Sequence, residues 1–204
     1  MTDKQDHWNA VYGARTESAL TWFEESPAVS REMMVQAGIT PGARVLDAGG
    51  GASRLVDTLL DDGFTDLTVL DLSAEALKVS QDRLGARAKA VQWIAADITD
   101  WQPEGPYDLW HDRAVFHFLT EAADRAAYIR TLTQALRPGG VAIIGTFALD
   151  GPEKCSNLPV IRYCADGLAQ ELGAGFARIT CRAHTHQTPM QRTQSFTFCT
   201  FRRR

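Results

Sequence analysis

Residues 45–60, VLDAGGGASRLVDTLL, join an apolar run to an amphipathic pattern through three consecutive glycines. The apolar residues around Asp47 predict a short buried strand, and the residues from Ser53 onward predict a helix that ends at Gly63. Glycines at such a turn let the backbone approach a ligand closely and offer its N–H groups to it. We therefore expect a ligand at the loop formed by residues 49–51.

Two residues of this stretch restrict the kind of ligand. The dinucleotide fingerprint G-x-G-x-x-G, started at Gly49, requires a glycine at the position where this chain has Arg54. Asp47 places a negative charge just before the loop, where it would repel a pyrophosphate and attract an amine. The loop therefore favours a nucleoside with an ammonium group over a dinucleotide.

Composition excludes several classes of protein. The 204 residues are 45% hydrophobic and 23% charged, which is typical of one α/β domain. A formal net charge of -4 gives no general attraction for nucleic acid or an anionic membrane, and no apolar run reaches the length of a membrane span. Residues 1–15, MTDKQDHWNAVYGAR, lack the signal-peptide pattern, so we expect a cytoplasmic protein with reduced thiols. The four cysteines have no C-x-x-C spacing, which argues against a structural zinc site.

Strand-like and helix-like patterns alternate along the chain. A first helix is expected to start with Ser26 as N-cap and Pro27 at its first position, and a later helix is expected to end at Pro138 and Gly139. Strands are predicted at 67–71, 90–97, 107–112 and 141–148, and a helix and two antiparallel strands at 165–173, 176–187 and 193–202. This alternation predicts a mostly parallel sheet covered by helices, with ligands at the carboxyl ends of the strands.

Three successive predicted strands end in an aspartate: Asp47, Asp71 and Asp97. A single aspartate after a strand is commonly only a turn or a helix cap. Three of them beside a glycine loop indicate a polar ligand site. A sheet protein with capping aspartates and no cofactor is the alternative.

The pattern D-x-G-x-G, formed by Asp47, Gly49 and Gly51, resembles motif I of the class I S-adenosylmethionine-dependent methyltransferases, and the resemblance extends over most of the chain. It implies an α/β fold with a Rossmann-like, doubly wound, seven-stranded, mostly parallel sheet whose last strand is antiparallel. We expect one methyltransferase domain over 1–204. Its parts would be an N-terminal helical lid or extension at 1–38, a cofactor-binding core at 43–150, and a C-terminal helix with an antiparallel strand pair at 151–204.

The resemblance implies roles for the residues at the methionine and ribose ends of the cofactor, S-adenosylmethionine, and of its product S-adenosylhomocysteine. Gly49, Gly50 and Gly51 would line the methionine end, and Asp47 would hold the amine directly or through water. Asp71 would take the two ribose hydroxyls, since one carboxylate can accept two hydrogen bonds.

The same resemblance assigns four residues to the adenine end. Leu72 and Ser73 would flank the ring. Asp97 would accept a hydrogen bond from the adenine amino group, and Ile98 beside it would supply a backbone donor. No metal ion is implied.

The segment HWNAVYGAR, followed by LTWF at residues 20–23, resembles the Y-W-x-x-R-Y pattern and downstream tryptophan of a narrower group of methyltransferases. That group includes eukaryotic lysine methyltransferases that act on elongation factor 1A and citrate synthase. Trp8, Tyr12 and Trp22 would then form a lid that excludes water from the cofactor and acceptor. Alternatively, these aromatic residues only pin an N-terminal helix to the core. The residues that depart from the group's pattern are His7 and Gly13 or Ala14.

The predicted acceptor segment is LWHDRAVFHFL, residues 109–119. It has no N-P-P-Y motif, which argues against methylation of adenine or of a glutamine amide. The lysine-directed group has D-K-G-T-L-D here, whereas this chain replaces the last acid with His117, a side chain suited to removing a proton from a thiol, hydroxyl or ring nitrogen. The D-R-A triplet that starts at Asp112 also resembles thiopurine methyltransferases. We predict Asp112 and His117 as catalytic residues, and His111 as a structural one.

Three further polar residues stand late in the chain: Cys155, His184 and His186. A metal site of these residues has no specific spacing to support it, so polar lining of an acceptor pocket is the preferred interpretation, and whether they line it is left open. The sequence thus predicts a methyltransferase that acts on a small molecule. The alternatives are a protein lysine methyltransferase and a non-catalytic, cofactor-binding regulatory subunit.

Overall fold

A computed structural model describes residues 3–14 and 16–204. Its main sheet has seven strands in the order β3-β2-β1-β4-β5-β9-β8, and a separate hairpin is formed by β6 and β7. The strands are β1 (Arg44–Ala48), β2 (Asp66–Asp71), β3 (Val91–Ala95), β4 (Tyr107–Arg113), β5 (Leu136–Phe147), β6 (Lys154–Cys155), β7 (Leu158–Pro159), β8 (Phe176–Gln187) and β9 (Thr193–Arg203). The helices are α1 (Asp3–Ala14), α2 (Ala28–Gln36), α3 (Leu55–Asp61), α4 (Ala74–Leu84), α5 (Ala122–Ala135) and α6 (Ala165–Leu172).

The first five strands of the sheet pair in parallel, and β9 runs antiparallel to both β5 and β8. This confirms the predicted seven-stranded, mostly parallel sheet with an antiparallel end. The order of the strands reverses direction at β1, because β2 follows on one side and β4 on the other. Such a switch point opens a crevice at the carboxyl ends of the strands.

The sheet has a hydrophobic core on each face. Neighbouring residues of a strand point to opposite faces, so Val45 and Val69 pack in one core while Leu46 and Leu70 pack in the other. Both faces of β1 and β2 are therefore buried, as expected for parallel strands covered by helices. The rigid, doubly covered centre of the sheet fixes the position of the loop that follows β1.

Two predicted helix ends are displaced in the structure. Helix α2 starts at Ala28 with Pro27 as its N-cap, and no side chain caps it, so Ser26 does not serve as the N-cap. Helix α5 ends at Ala135, three residues before Pro138, because Leu136 already pairs with Tyr107 of β4. In contrast, the side chain of Ser73 caps α4, since its hydroxyl accepts a hydrogen bond from the amide of Ala76.

The cysteines differ from the expectation of free thiols. Cys181 of β8 and Cys199 of β9 are directly opposite one another and form a disulfide, whereas Cys155 and Cys164 are free. Spacing along the chain does not reveal such a cross-strand pair, because the pairing is created by the register of two strands. Among the described helices, none has both the length and the apolarity required to cross a bilayer.

Candidate active site

A cavity of about 170 Å³ opens at the carboxyl ends of the central strands, beside the loop after β1. Helix α1 and residues 16–27 cover it from the outside. The cavity brings together most of the residues that the sequence assigned to the cofactor, and the predicted residues that line it are Trp8, Tyr12, Trp22, Asp47, Gly49, Gly50, Asp71, Leu72, Asp97 and Ile98.

The glycine loop is held tightly against the end of β2. The amides of Gly49 and Gly50 both donate to the carbonyl of Leu70, at 2.6 and 3.3 Å. These two N–H groups are therefore not free for a ligand, contrary to expectation. The glycines are required for space instead, because a Cβ atom at Gly49 would overlap the side chain of Val115, and one at Gly50 would overlap Oδ2 of Asp47.

Asp47 is the acid at the front of this loop, and it is buried. Its Oδ1 accepts a hydrogen bond from Nδ1 of His111 at 2.7 Å, and Nε2 of the same ring lies 2.8 Å from the hydroxyl of Ser30. Its Oδ2 has no hydrogen-bond partner among the described residues. Because a buried carboxylate oxygen without a partner is costly, this atom is suited to a ligand that carries a positive amine.

Asp71 ends β2 behind Gly51. Its Oδ1 accepts from the amide of Ser73 at 2.8 Å, and a Cβ atom at Gly51 would lie 2.8 Å from its Oδ2. Burial, together with the charge of Asp47, raises the pKa of Asp71 to about 7, although the Ser73 amide opposes the shift. Backbone amides supply only part of the donors that this carboxylate can accept, and ligand hydroxyl groups would supply further ones.

The adenine end of the predicted site is partly structural. Leu72 and Ile98 line the cavity, whereas Ser73 is buried beneath it and donates to the Asn9 side chain at 2.7 Å. One oxygen of Asp97 accepts from the amide and hydroxyl of Thr99, at 2.9 and 2.7 Å. Neither Ser73 nor Gly51 lines the cavity, so the predicted direct contacts of these two residues are not supported.

Four aromatic rings form the roof of the cavity. The ring of Trp8 lies 6.3 Å from that of Tyr12, 5.7 Å from that of Trp22 and 5.2 Å from that of Phe118. All four side chains line the cavity. The roof therefore joins α1 to the segment after β4, which was the predicted place of the acceptor.

Helix α1 is attached to the cavity wall by polar contacts from several directions. Ser73 donates to Asn9 at 2.7 Å, Lys4 forms an ion pair with Asp124 at 2.9 Å, and the side chain of His7 lies 3.1 Å from the hydroxyl of Ser156. These contacts place the helix over the site, as both the lid and the pinned-helix interpretation require. Arg15, which belongs to the same pattern in the sequence, lies outside the described residues.

The acceptor end of the cavity contains an ion pair that the sequence analysis missed. Arg113 donates to the carbonyl of Trp22 at 2.9 Å, and its Nη2 lies 2.9 Å from Glu24. Although burial opposes it, the neighbouring His186 and Arg113 hold the pKa of Glu24 below its ordinary value, so Glu24 is a carboxylate. Cys155 also lines this end, and burial raises the pKa of its thiol to about 12, so it is a neutral wall residue.

The two late histidines stand behind Glu24. His186 contacts the carbonyl of Thr21 at 2.9 Å through Nε2, and His184 lies 3.7 Å from Glu24. Neither ring lines the main cavity. The described residues contain no group of three or more side chains suited to hold a metal ion. His184 and His186 thus support the acceptor end from outside.

Asp112 was predicted as a catalytic residue, but it does not line the cavity. Its carboxylate is fully buried and accepts from the amides of Val115 and Phe116 at 2.9 and 3.1 Å, and from the hydroxyl of Tyr128 at 2.6 Å. Burial raises its pKa to about 6. The placement contradicts a direct contact with an acceptor. The hydrogen bonds of this carboxylate instead fix the segment that follows β4 and connect it to Tyr128 of α5.

His117 was predicted as a general base, and its position contradicts that role. The ring is fully buried between the rings of Phe118 and Phe147, outside the cavity, and its Nδ1 accepts from the amide of Phe147 at 3.2 Å. Burial and the charge of Arg113 lower the pKa of His117 to about 3. A side chain with this pKa binds a proton too weakly for base catalysis near neutral pH. The histidine that lines the cavity is His111, which the sequence analysis treated as structural.

Known proteins with similar sequences indicate a family. A family model described as a methyltransferase domain matches residues 45–140, the part of the chain that contains the glycine loop and the three acids. The chain is similar to the class I S-adenosylmethionine-dependent methyltransferases. This confirms the resemblance that the motif D-x-G-x-G indicated.

Two curated methyltransferases and one solved structure illustrate the similarity. A trans-aconitate 2-methyltransferase of Azoarcus sp. (strain BH72) is 30% identical over 126 residues, which are 61% of this chain and 47% of that protein. An eEF1A lysine and N-terminal methyltransferase homolog of Drosophila melanogaster is 26% identical over 142 residues, 66% of this chain and 21% of that protein. This chain thus spans about half of the first relative and about a fifth of the second.

The solved structure shows the extent of the shared fold. The 1,6-didemethyltoxoflavin-N1-methyltransferase of Burkholderia thailandensis, with bound 1,6-didemethyltoxoflavin and S-adenosylhomocysteine, has a TM-score of 0.68 and 21% identity. The alignment covers 98% of this chain and 84% of that one. At this identity the similarity shows the methyltransferase fold alone.

Proposed function

We propose that this protein transfers the methyl group of S-adenosylmethionine to a small-molecule nucleophile. The observation that carries the proposal is the partnerless Oδ2 of buried Asp47, which lies beside Gly50 in the same cavity as Asp71 and Asp97. These three acids match an amine, a ribose diol and an adenine amino group. Similarity to the methyltransferase family supports the same cofactor.

The residues of this chain would mainly orient the cofactor and exclude water from it. Bound cofactor would offer an electrophilic methyl group on its sulfonium. Asp47 would hold the amino-acid end of the molecule and Asp71 its ribose. The rings of Trp8 and Trp22 would exclude water from the reacting atoms. Alignment of an unprotonated nucleophile with the methyl group provides most of the acceleration of such a displacement.

A small-molecule acceptor is supported by the shape of the acceptor end. This end of the cavity is lined by Trp22, Phe118 and the ion pair of Glu24 with Arg113, and α1 covers it. A trans-aconitate methyltransferase stands among the relatives. A protein lysine methyltransferase is the second candidate, because the carboxylate of Glu24 with its aromatic neighbours suits an ammonium group and a lysine methyltransferase homolog is also similar.

The first test measures binding by calorimetry. We expect S-adenosylmethionine and S-adenosylhomocysteine to bind and NADH not to bind, because position 54 is an arginine and Asp47 repels a pyrophosphate. Binding of NADH without binding of S-adenosylhomocysteine would overturn the proposed function.

The second test identifies the acceptor class. The protein is incubated with a cell extract and S-adenosylmethionine that carries a labelled methyl group. Label in metabolites supports the small-molecule proposal, label in protein supports the lysine alternative, and label in neither while cofactor still binds supports a regulatory subunit. A cytoplasmic location remains a prediction, and the disulfide of Cys181 with Cys199 is unusual for that compartment.

The pKa of Asp71 predicts how binding depends on pH. Only the carboxylate can accept both ribose hydroxyls, and these donors favour the charged form, so binding lowers the pKa from about 7. Affinity should therefore be highest above pH 7 and fall as the pH drops through 7. Between pH 8 and pH 6 the loss should be about tenfold, the ratio of the ionised fractions for a single group.

The ligand for this measurement is 5′-deoxy-5′-methylthioadenosine, which has the ribose and adenine but no amine that titrates in the same range. In Asp71→Asn the affinity should be lower and independent of pH between 6 and 8. A wild-type affinity that does not change over this interval would exclude Asp71 from the ribose site.

A further inference from the structure

Three buried side chains from three elements form one hydrogen-bonded row in the cavity wall. Ser30 lies on α2, His111 on β4 and Asp47 on β1, and their exposed fractions are 1%, 2% and 4%. The imidazole bridges the other two, at 2.8 Å to the Ser30 hydroxyl and 2.7 Å to Oδ1 of Asp47. All three residues line the cavity.

The chemistry of the three groups orders the protons along the row. A carboxylate can only accept, so Nδ1 of His111 carries the proton and donates to Asp47. In the neutral ring Nε2 is then an acceptor, and the hydroxyl of Ser30 can donate to it. Both ring nitrogens are thus engaged, and the plane of the ring is fixed between α2 and β1.

The row determines which oxygen of Asp47 faces the ligand. Since His111 occupies Oδ1, the carboxylate cannot rotate without breaking that bond, and Oδ2 is directed to the glycine loop at Gly50. This second oxygen is buried and has no partner among the described residues. A group that holds a side chain in its binding orientation in this manner commonly affects affinity as much as a direct contact.

We propose that His111, itself held by Ser30, is a positioning residue that aims the free oxygen of Asp47 at the ammonium group of the cofactor. The inference rests on the proposed function, since it assumes that S-adenosylmethionine occupies the cavity. It assigns His111 to recognition of the amino-acid end of the cofactor and to no other part. No role in binding could be predicted for this residue from the sequence.

The test compares two ligands that differ at the amino-acid end. S-adenosylhomocysteine carries the ammonium group, whereas 5′-deoxy-5′-methylthioadenosine has the same nucleoside without it. His111→Leu removes the bond to Asp47 at similar side-chain size. The dissociation constant for S-adenosylhomocysteine should rise about tenfold, the size of one hydrogen bond to a charged group, while that for methylthioadenosine changes less than about twofold.

Two conservative variants refine the test. His111→Asn keeps an N–H group for Asp47 and should recover most of the affinity for S-adenosylhomocysteine. Ser30→Ala removes only the hydrogen bond to Nε2 of His111 and leaves the bond to Asp47 intact. The affinity for S-adenosylhomocysteine should therefore fall about threefold, less than for the loss of the bond to Asp47, and the affinity for methylthioadenosine should not change. These two variants decide the question if His111→Leu does not fold. The matched control is Lys89→Leu, at an exposed residue outside the cavity, which should leave both affinities unchanged.

The outcomes separate this inference from the proposed function. Selective loss of S-adenosylhomocysteine affinity supports the positioning role. Equal weakening of both ligands means that His111 only maintains the fold of the wall, and unchanged binding of both means that Asp47 does not depend on it; each result overturns the inference alone. Failure of the wild-type protein to bind either ligand overturns the proposed function and the inference with it.

Discussion

Replacement of Asp112 by alanine is expected to lower the free energy of unfolding by about 3 kcal/mol, because it leaves two amides and one hydroxyl buried without an acceptor. The donors are Val115, Phe116 and Tyr128, and the carboxylate that they share is fully buried. Urea denaturation of the wild-type protein and of Asp112→Ala at the same pH measures the difference.

Asp61→Ala is the matched control, since that carboxylate is exposed and its ion pair with Arg87 lies on the surface. Its loss of stability should remain below about 1 kcal/mol. If Asp112→Ala is as stable as wild type and loses only turnover, then Asp112 contacts the acceptor, as the sequence first suggested, and our structural assignment is wrong.

Gly50→Ala should weaken S-adenosylhomocysteine binding about 100-fold, the combined effect of overpacking and of a lost hydrogen bond to a charged group. The added methyl group would overlap Oδ2 of Asp47 and lie 2.8 Å from Cγ1 of Val69. The carboxylate would have to turn away from the ligand. Calorimetry with the folded variant measures the loss.

Gly42→Ala provides the same chemical change at a site where a Cβ atom meets nothing within 4 Å. Its affinity for S-adenosylhomocysteine should equal that of the wild-type protein. Wild-type affinity in Gly50→Ala would mean that the close approach of Gly50 to Asp47 is not needed for binding.

The sheet could be predicted from the sequence because its strands are short, apolar and separated by clear turn residues. The ranges expected for β8 and β9 agree with the structure to within one residue. The acids at the strand ends could also be predicted, since the carboxyl ends of parallel strands meet at one edge. Asp47, Asp71 and Asp97 accordingly line one cavity.

Side-chain direction after a strand could not be predicted in the same way. Asp112 and His117 lie close in sequence to the cavity residues Arg113 and Val115, but the chain turns sharply at Ala114, whose φ is +70°. That turn directs His117 into the core, whereas Asp112 points away from the cavity because side chains alternate between the two faces along β4. A positive φ at alanine gives no signal in the sequence, because the left-handed region is usually marked by glycine or asparagine.

Contacts between residues that are far apart in the chain could not be predicted from the sequence either. Glu24 pairs with Arg113, and Ser30 with His111, only because residues 16–36 pack across the end of β4. A single sequence contains no sign of which distant polar residues meet. The same limit applies to Cys181 and Cys199, whose pairing depends on strand register.

Because Asp47 and Asp71 lie close together, they lower the stability of the folded protein while they provide acceptors for the cofactor. Burial and mutual repulsion of these acids make the ionised pair costly for the folded protein, as the pKa of Asp71 near 7 indicates. Asparagine at either position would relieve the repulsion and keep one acceptor oxygen for His111 or Ser73, and so strengthen the fold, but it would remove the carboxylate that the cofactor requires. We therefore expect that selection for thermostability alone would replace one of these two acids early. The resulting variants would have a higher free energy of unfolding and a lower affinity for the cofactor.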